Sequence, residues 1–154
     1  MMLSLRAATD ADIELRARMN KQLIDDEGHS NPMAVPELAE RMRGWLHAEW
    51  SADLFVQSEP QGVDTIIGYA LYQRRQNEFF PGRPVIYLRQ FLIVREHRGR
   101  GQGRRALKDL IETRLPSPCT LVVDVLTANT RGLGFWQRVG FQPYQMTLKA
   151  FIGD

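Results

Sequence analysis

"REHRGRGQGRRALKDL", residues 95–110, sets Gly99, Gly101 and Gly103 among arginines and then passes at once into an amphipathic pattern. Small residues let a backbone approach an anion, and the N–H groups that open a helix face that anion with the helix dipole behind them. Arg98, Arg100, Arg104 and Arg105 add charge and forked donors. Three phosphate-binding readings compete. A Walker loop ends in Gly-Lys-Ser/Thr, so that a lysine reaches the β/γ-phosphates and a hydroxyl reaches magnesium. Gly103 is followed by Arg104 and Arg105, so that reading fails. The dinucleotide fingerprint G-x-G-x-x-A fits Gly101 to Ala106, with Asp124 roughly where a ribose-binding acid belongs. Its first glycine should follow a strand almost directly, whereas "REHRGR" intervenes and Asp124 falls inside "VVDVL". The third reading is a cradle of backbone N–H groups and arginines for a diphosphate, and it meets neither objection.

On the N-terminal side of the loop, "PVIYLRQFLIV" (84–94) is rich in β-branched and aromatic residues, as a strand should be. "DLFVQSE" (53–59) and "TIIGYALYQ" (65–73) read the same way, with turn signals between them. After the loop, Ala106, Leu107, Leu110, Ile111 and Leu115 line one helical face, and Pro116 and Pro118 close that helix. "CTLVVDVL" (119–126) looks like a buried strand, Asn129 to Val139 a short helix, and "FQPYQMTLKAF" (141–151) a final alternating strand. Upstream, "LSLRAA" (3–8) alternates. Thr9 or Asp10 can cap a helix that Gly28 ends in the left-handed conformation. Pro36 suits the first turn of a second helix whose stripe is Val35, Leu38, Met42, Trp45 and Leu46. The order β-α-α-β-β-β-α-β-α-β, with hairpins before a single crossover, predicts a mixed α/β (α+β) fold.

The totals agree with one domain spanning 1–154. The chain has 154 residues, 44% hydrophobic and 25% charged, with a net charge of +2, and a chain of this size builds a core without staples. So small a charge advertises no nucleic-acid partner. One cysteine, Cys119, rules out an internal disulfide, and the scattered histidines give no metal-ligand spacing. No apolar run approaches the length of a membrane span, and "MMLSLRAATDAD" has no signal-peptide pattern. A cytoplasmic protein with no membrane partner is the expectation.

At this point the chain resembles a family. "FLIVREHRGRGQGRRAL" is similar to the acyl-CoA-binding segment of the GNAT superfamily of N-acetyltransferases, whose R/Q-x-x-G-x-G/A signature is met at Arg98, Gly101 and Gly103. "NTRGLGFWQRVGF" resembles the family's later segment of an asparagine, a short helix and a closing Gly-Phe. The resemblance implies a GNAT-like fold with a central mixed, mostly antiparallel sheet of about six to seven strands flanked by about four helices. It implies acetyl-CoA as acyl-donor cosubstrate. In such proteins the strand before the loop bends away from its neighbour and the pantetheine arm enters the opening. Carried over, Phe91, Leu92, Ile93 and Val94 would meet that arm. Arg98, Gly99, Arg100, Gly101, Gln102, Gly103 and Arg104 would hold the pyrophosphate, and Asn129 and Trp136 would contact the cofactor.

Acetyl transfer from a thioester asks for a neutral amine, donors for the carbonyl oxygen, a route for the thiolate, and close positioning. The chain departs from the family at the chemical positions. Arg89 and Gln90 stand where a glutamate often serves as base, and Trp136 where a tyrosine commonly protonates the thiolate. "LIDDEGHSNP" (23–32) supplies the replacement candidates, Asp26 and Glu27 as base, with Asp25 and His29 toward the acceptor. Acids at a helix C-terminus oppose the dipole, which points to a purpose other than helix stability. Tyr144 is the candidate acid. Trp45, Trp50, Phe79 and Phe80 are candidates for an aromatic acceptor pocket, with core packing the simpler role for Trp45.

The expected function is therefore an N-acetyltransferase acting on a primary amine of a small molecule or peptide, in a ternary complex. The missing glutamate and tyrosine leave open a non-catalytic acyl-CoA-binding module, and "RGRGQGRR" leaves a nucleic-acid binder, which the low charge disfavours. The alternating final strand suits pairing across a homodimer.

Overall fold

The computed structural model describes residues 2–154. Strand β1 (Met2–Ala7) and a 3-10 turn (Asp10–Asp12) lead into helices α1 (Ile13–Glu27) and α2 (Val35–Leu46). Strands β2 (Ser51–Ser58), β3 (Asp64–Arg75) and β4 (Val85–Ile93) follow. A second 3-10 turn (Arg95–His97), helix α3 (Gln102–Arg114), strand β5 (Thr120–Val123) and helix α4 (Thr130–Arg138) complete the order. The sheet runs β1-β2-β3-β4-β5, antiparallel throughout except for the parallel β4–β5 pair.

Alternation along β2, β3 and β4 divides the core into two layers. Leu54, Val56, Tyr69, Leu71 and Leu92 pack under α1 and α2, against Ile13, Ala17, Leu38 and Met42. Phe55, Ile67, Ala70, Ile86, Leu88 and Ile93 face the other way, onto Ala106, Leu107 and Leu110 of α3. Because both faces are covered, these strands read as nearly continuous apolar runs. Gly28 ends α1 with φ 67°, as its position predicted.

Two features of the sheet position the site. Register shifts between Leu71 and Tyr72, whose partners are Gln90 and Leu88, so Arg89 is an extra residue on β4. β5 follows β4 only from Val85 to Leu88. From Arg89 to Ile93, β4 therefore has a strand on its β3 side and none on the other. Gly68 holds this region tight: a Cβ there would collide with the Leu92 carbonyl oxygen. Gly68→Ala is expected to cost roughly 3 kcal/mol or more, since backbone rather than a pliable side chain must yield. Urea unfolding would measure it.

A buried polar knot ties α3 to the sheet. The Tyr72 hydroxyl donates to Asp53 Oδ2 at 2.5 Å, and Arg114 Nε donates to Asp53 Oδ1 at 2.9 Å. Burial, with the neighbouring carboxylate, pushes the Tyr72 phenol well above its ordinary value. Asp53→Ala strands both donors and is expected to destabilise by about 3 kcal/mol, the low end for a broken buried pair because Arg114 can still reach water.

Three expectations are corrected. The sheet has five strands, not six or seven. Residues 141–154 enter no strand, although their alternation suits one. β5 is limited to four residues, none of them buried, because β4 is its only neighbour. Among the described residues no helix is long and apolar enough to cross a membrane.

Candidate functional site

The turn after β4 is built from its own arginine. Arg98 Nε donates to the Ile93 carbonyl at 2.6 Å, while the Val94 N–H donates to Ile67 at 2.8 Å, holding the end of β4 against β3. Gly99 (φ 79°) and Gly101 (φ 74°) both take the left-handed conformation, and Gly101 caps α3. The first N–H groups of α3, which no intrahelical carbonyl meets, open beside these glycines. Gly99, Arg95, Arg98 and Arg131 line a depression of about 380 Å³, with Asp26 on its wall. The donor set suits a diphosphate: glycine backbone, a helix N-terminus and three guanidinium groups.

The two motifs meet in space. A Cβ on Gly103 would lie 3.4 Å from the Phe135 ring, so α3 and α4 approach where one has no side chain. Phe135 stacks on Phe91 at 6.0 Å, and Trp136 meets Phe91, Phe135 and Phe141 edge-on at 5.0–5.5 Å. The indole is thus part of an aromatic column beside the unpaired flank of β4. Asn129 caps α4, its Oδ1 accepting from Gly132 N at 3.0 Å. Its Nδ2 donates to no group among the described residues.

The acids at the end of α1 separate into different roles. Asp26 accepts from Arg95 (Nη2, 2.5 Å) and from Arg98 (Nη2, 2.7 Å). Burial alone would raise its carboxyl pKa, but the two arginines hold it below the ordinary carboxylate range. A depressed native pKa stabilises the fold above the ordinary value of about 3.9, and that gain disappears as pH falls through the lower native value. Asp26→Asn is accordingly expected to flatten the rise of melting temperature with pH below the ordinary carboxylate value of about 3.9. Glu27 is half-buried and, among the described residues, makes no hydrogen bond or ion pair. Burial first, and the neighbouring Asp26 charge second, push its carboxyl pKa up. Asp25 and His29 are exposed, and His29 Nδ1 accepts from Asn31 N at 3.0 Å.

Around Glu27 lies a polar cluster that reading the sequence does not reveal. Tyr69, fully buried, donates to Gln90 Oε1 at 2.8 Å. The charges of Glu27, Arg16 and Arg41 all act on its phenol, whose pKa burial raises far above the ordinary value. Arg41 donates to Asn20 at 3.0 Å, and Arg16 is buried with Nε and Nη2 unpartnered among the described residues. The available signal is Arg16 and Asn20 on the buried stripe of α1, alongside Ile13, Ala17 and Ile24. Arg41 and Arg89 lie over the Trp45 ring at 4.6 and 5.0 Å, with Trp50 at 5.8 Å and Tyr87 beyond it. Tyr87 donates to Asp124 at 2.8 Å. Phe79 and Phe80 are exposed in the β3–β4 connection, and Tyr144 stands 92% exposed on the C-terminal segment. No cluster of metal-ligating side chains is present among the described residues.

Comparison with known proteins identifies the family and the fold. The model of a family described as the Acetyltransferase (GNAT) family matches residues 20–141. The thialysine N-epsilon-acetyltransferase of Bos taurus is 29% identical over 144 residues, 90% of this chain and 83% of its own. An acetyltransferase from Trypanosoma brucei superposes with a TM-score of 0.67 at 21% identity, covering 98% of this chain and 100% of that one. An aminoglycoside N-acetyltransferase in complex with CoA gives 0.71 at 17% identity, covering 98% and 95%. At such identities the solved structures speak to the fold.

Proposed function

This chain belongs to the Acetyltransferase (GNAT) family, and from that membership we propose that its acceptor is the side-chain amine of a free amino acid, with Glu27 as base. Acetyl-CoA-dependent N-acetylation is the activity of the family and of its curated relatives; a module that binds acyl-CoA without turnover is not favoured. The observation that carries the proposal is the contrast at the end of α1: Asp26 is occupied by two arginines, while Glu27 is half-buried, unpartnered and raised in pKa.

Each part of the site has its own task. Backbone N–H groups from Gly99 to Arg104, with Arg98 and Arg131, hold the diphosphate. The unpaired flank of β4 from Arg89 to Ile93 offers backbone groups to the pantetheine arm and to the carbonyl oxygen, where preorganised donors act most strongly. Acetyl-CoA supplies an acyl group activated as a thioester. A carboxyl with a raised pKa sits nearer neutrality, where proton acceptance from an ammonium is most effective. Glu27 takes that proton, directly or through water. Arg41 and Arg89, gathered on Trp45, present guanidinium groups suited to the acceptor's carboxylate. The Bos taurus relative is named for an amine of this kind. Trp136 packs; an indole N–H is too weak an acid to serve the thiolate. The Tyr144 phenol can do so only where the C-terminal segment docks.

A panel of amines in a thiol-release assay tests the acceptor. Amino acids bearing a side-chain amine should be turned over with the highest kcat/KM, and Arg89→Ala should raise KM for them. Faster turnover of polycationic amines without a carboxylate would reject the reading. We also infer that the working unit is a homodimer, because large apolar side chains of residues 144–152 are left in water.

A further inference from the structure

The depression beside the start of α3 has an acid standing among its cations. Arg95, Arg98 and Arg131 line it with Gly99, and Asp26 is the one carboxylate among the lining residues. Both Asp26 oxygens are engaged. Oδ1 accepts from Arg95 Nε at 2.8 Å and Nη2 at 2.5 Å, and Oδ2 accepts from Arg98 Nη2 at 2.7 Å. The backbone fixes the same junction, since Arg95 N donates to Gln22 Oε1 at 3.1 Å, one turn back on α1. Burial would raise the Asp26 carboxyl pKa, but the two arginines hold it below the ordinary range, so it is charged at neutral pH. Besides Asp26, the charges of Asp25 and Glu96 reach Arg95, but neither residue lines the depression.

Positive charge alone would favour the wrong ligand. In acetyl-CoA the diphosphate is esterified at both ends, and each phosphate carries a single negative charge. A terminal phosphate, as in ADP, is a monoester-like group that ionises further near neutrality. Arginines and a helix N-terminus attract the more highly charged of the two. A carboxylate in the wall acts in the opposite sense, because it repels a ligand in proportion to the ligand's charge. At contact distance beside a protein surface, one extra ligand charge is worth about ten-fold in affinity or more. Selectivity of this kind comes from the repulsive element as much as from the attractive ones.

We propose that Asp26 is a specificity-determining residue: its carboxylate, set among Arg95, Arg98 and Arg131, makes the depression selective for a diphosphate esterified at both ends over one with a free terminal phosphate. This rests on the reading of the loop as a diphosphate cradle and adds what that cradle rejects. Asp26 also braces Arg95 and Arg98 through the same contacts. Bracing serves both ligands alike, so the discrimination comes from the charge.

The experiment titrates the full chain with acetyl-CoA and with ADP by calorimetry, as wild type, Asp26→Asn and Asp26→Glu. Competition against acetyl-CoA gives the ADP constant where direct heats are too small. Asparagine keeps the shape without the charge, and glutamate keeps the charge. The ratio of the ADP to the acetyl-CoA dissociation constant should fall by about ten-fold or more in Asp26→Asn, chiefly through tighter ADP. In Asp26→Glu it should stay close to the wild-type ratio. Each ligand is compared with itself across variants, so differences elsewhere in the two molecules cancel. An unchanged ratio in Asp26→Asn overturns the proposal, whether both affinities shift together or neither moves. An equal fall in Asp26→Glu also overturns it, because charge would not be the cause. Gly101→Asp keeps this failure apart from that of the cradle reading. Wild-type affinity of that variant for both ligands removes the diphosphate from the depression altogether. Weakened acetyl-CoA binding there, beside an unchanged ratio in Asp26→Asn, rejects the selectivity alone.

Discussion

Gly101→Asp is expected to raise the dissociation constant for acetyl-CoA by about 100-fold or more, roughly 2.7 kcal/mol. Gly101 caps α3, and a Cβ there meets nothing within 4 Å. The new carboxylate therefore enters open space at the mouth of the proposed diphosphate cradle, where it would oppose a like charge and satisfy the helix dipole in the ligand's place. The left-handed φ of 74° adds a strain of about 1–2 kcal/mol, so melting should drop by a few degrees without loss of the fold. Gly101→Ala shares the strain without the charge and should retain most of the affinity. Calorimetric titration of both variants separates the two effects, and unchanged affinity in folded Gly101→Asp would remove the loop from cofactor binding. Gly103→Asp is a poorer probe, because its Cβ would press on Phe135 at 3.4 Å and disturb packing as well as charge.

Glu27→Gln is expected to lower kcat/KM by about 10²–10³-fold, the scale of a lost general base, with acetyl-CoA affinity retained. Its raised carboxyl pKa fixes the sign of the pH effect. Activity that needs the carboxylate should climb with pH along a limb lying above the ordinary value of about 4.3, and that limb should vanish in the variant. Wild-type rates in Glu27→Gln would exclude it. Asp26→Asn is the informative neighbour. Its two arginines line the depression proposed for the diphosphate, so its main effect should fall on acetyl-CoA affinity, and turnover should follow only through that.

Most of the fold is legible in the chain because its signals are local. Gly28, Pro36 and the Arg98–Gly103 run act through the φ angles and N–H groups of their own residues. The alternation of "DLFVQSE" and "TIIGYALYQ" records which faces water never reaches. The buried polar groups are harder to see. Asp53 looks like a charge at a strand start until Tyr72 and Arg114 arrive from 19 and 61 residues away. Arg16 interrupts a helical stripe that otherwise reads as simple core. The last segment misleads for a related reason: alternation shows that a segment is fit to be a strand, but a strand also needs pairing, and residues 141–154 pair with no strand of the described sheet.

Residue types at short spacing were enough to specify the glycine-arginine loop at the start of α3, the order of elements up to α4 and the family. Which acid at the end of α1 is free had to wait for the folded chain. Asp26 and Glu27 are adjacent and nearly identical in chemistry, yet one pairs with Arg95 and Arg98 and the other has no partner among the described residues. A carboxylate's role is set by the charges and the solvent around it, and those are supplied by chain that lies far away in sequence.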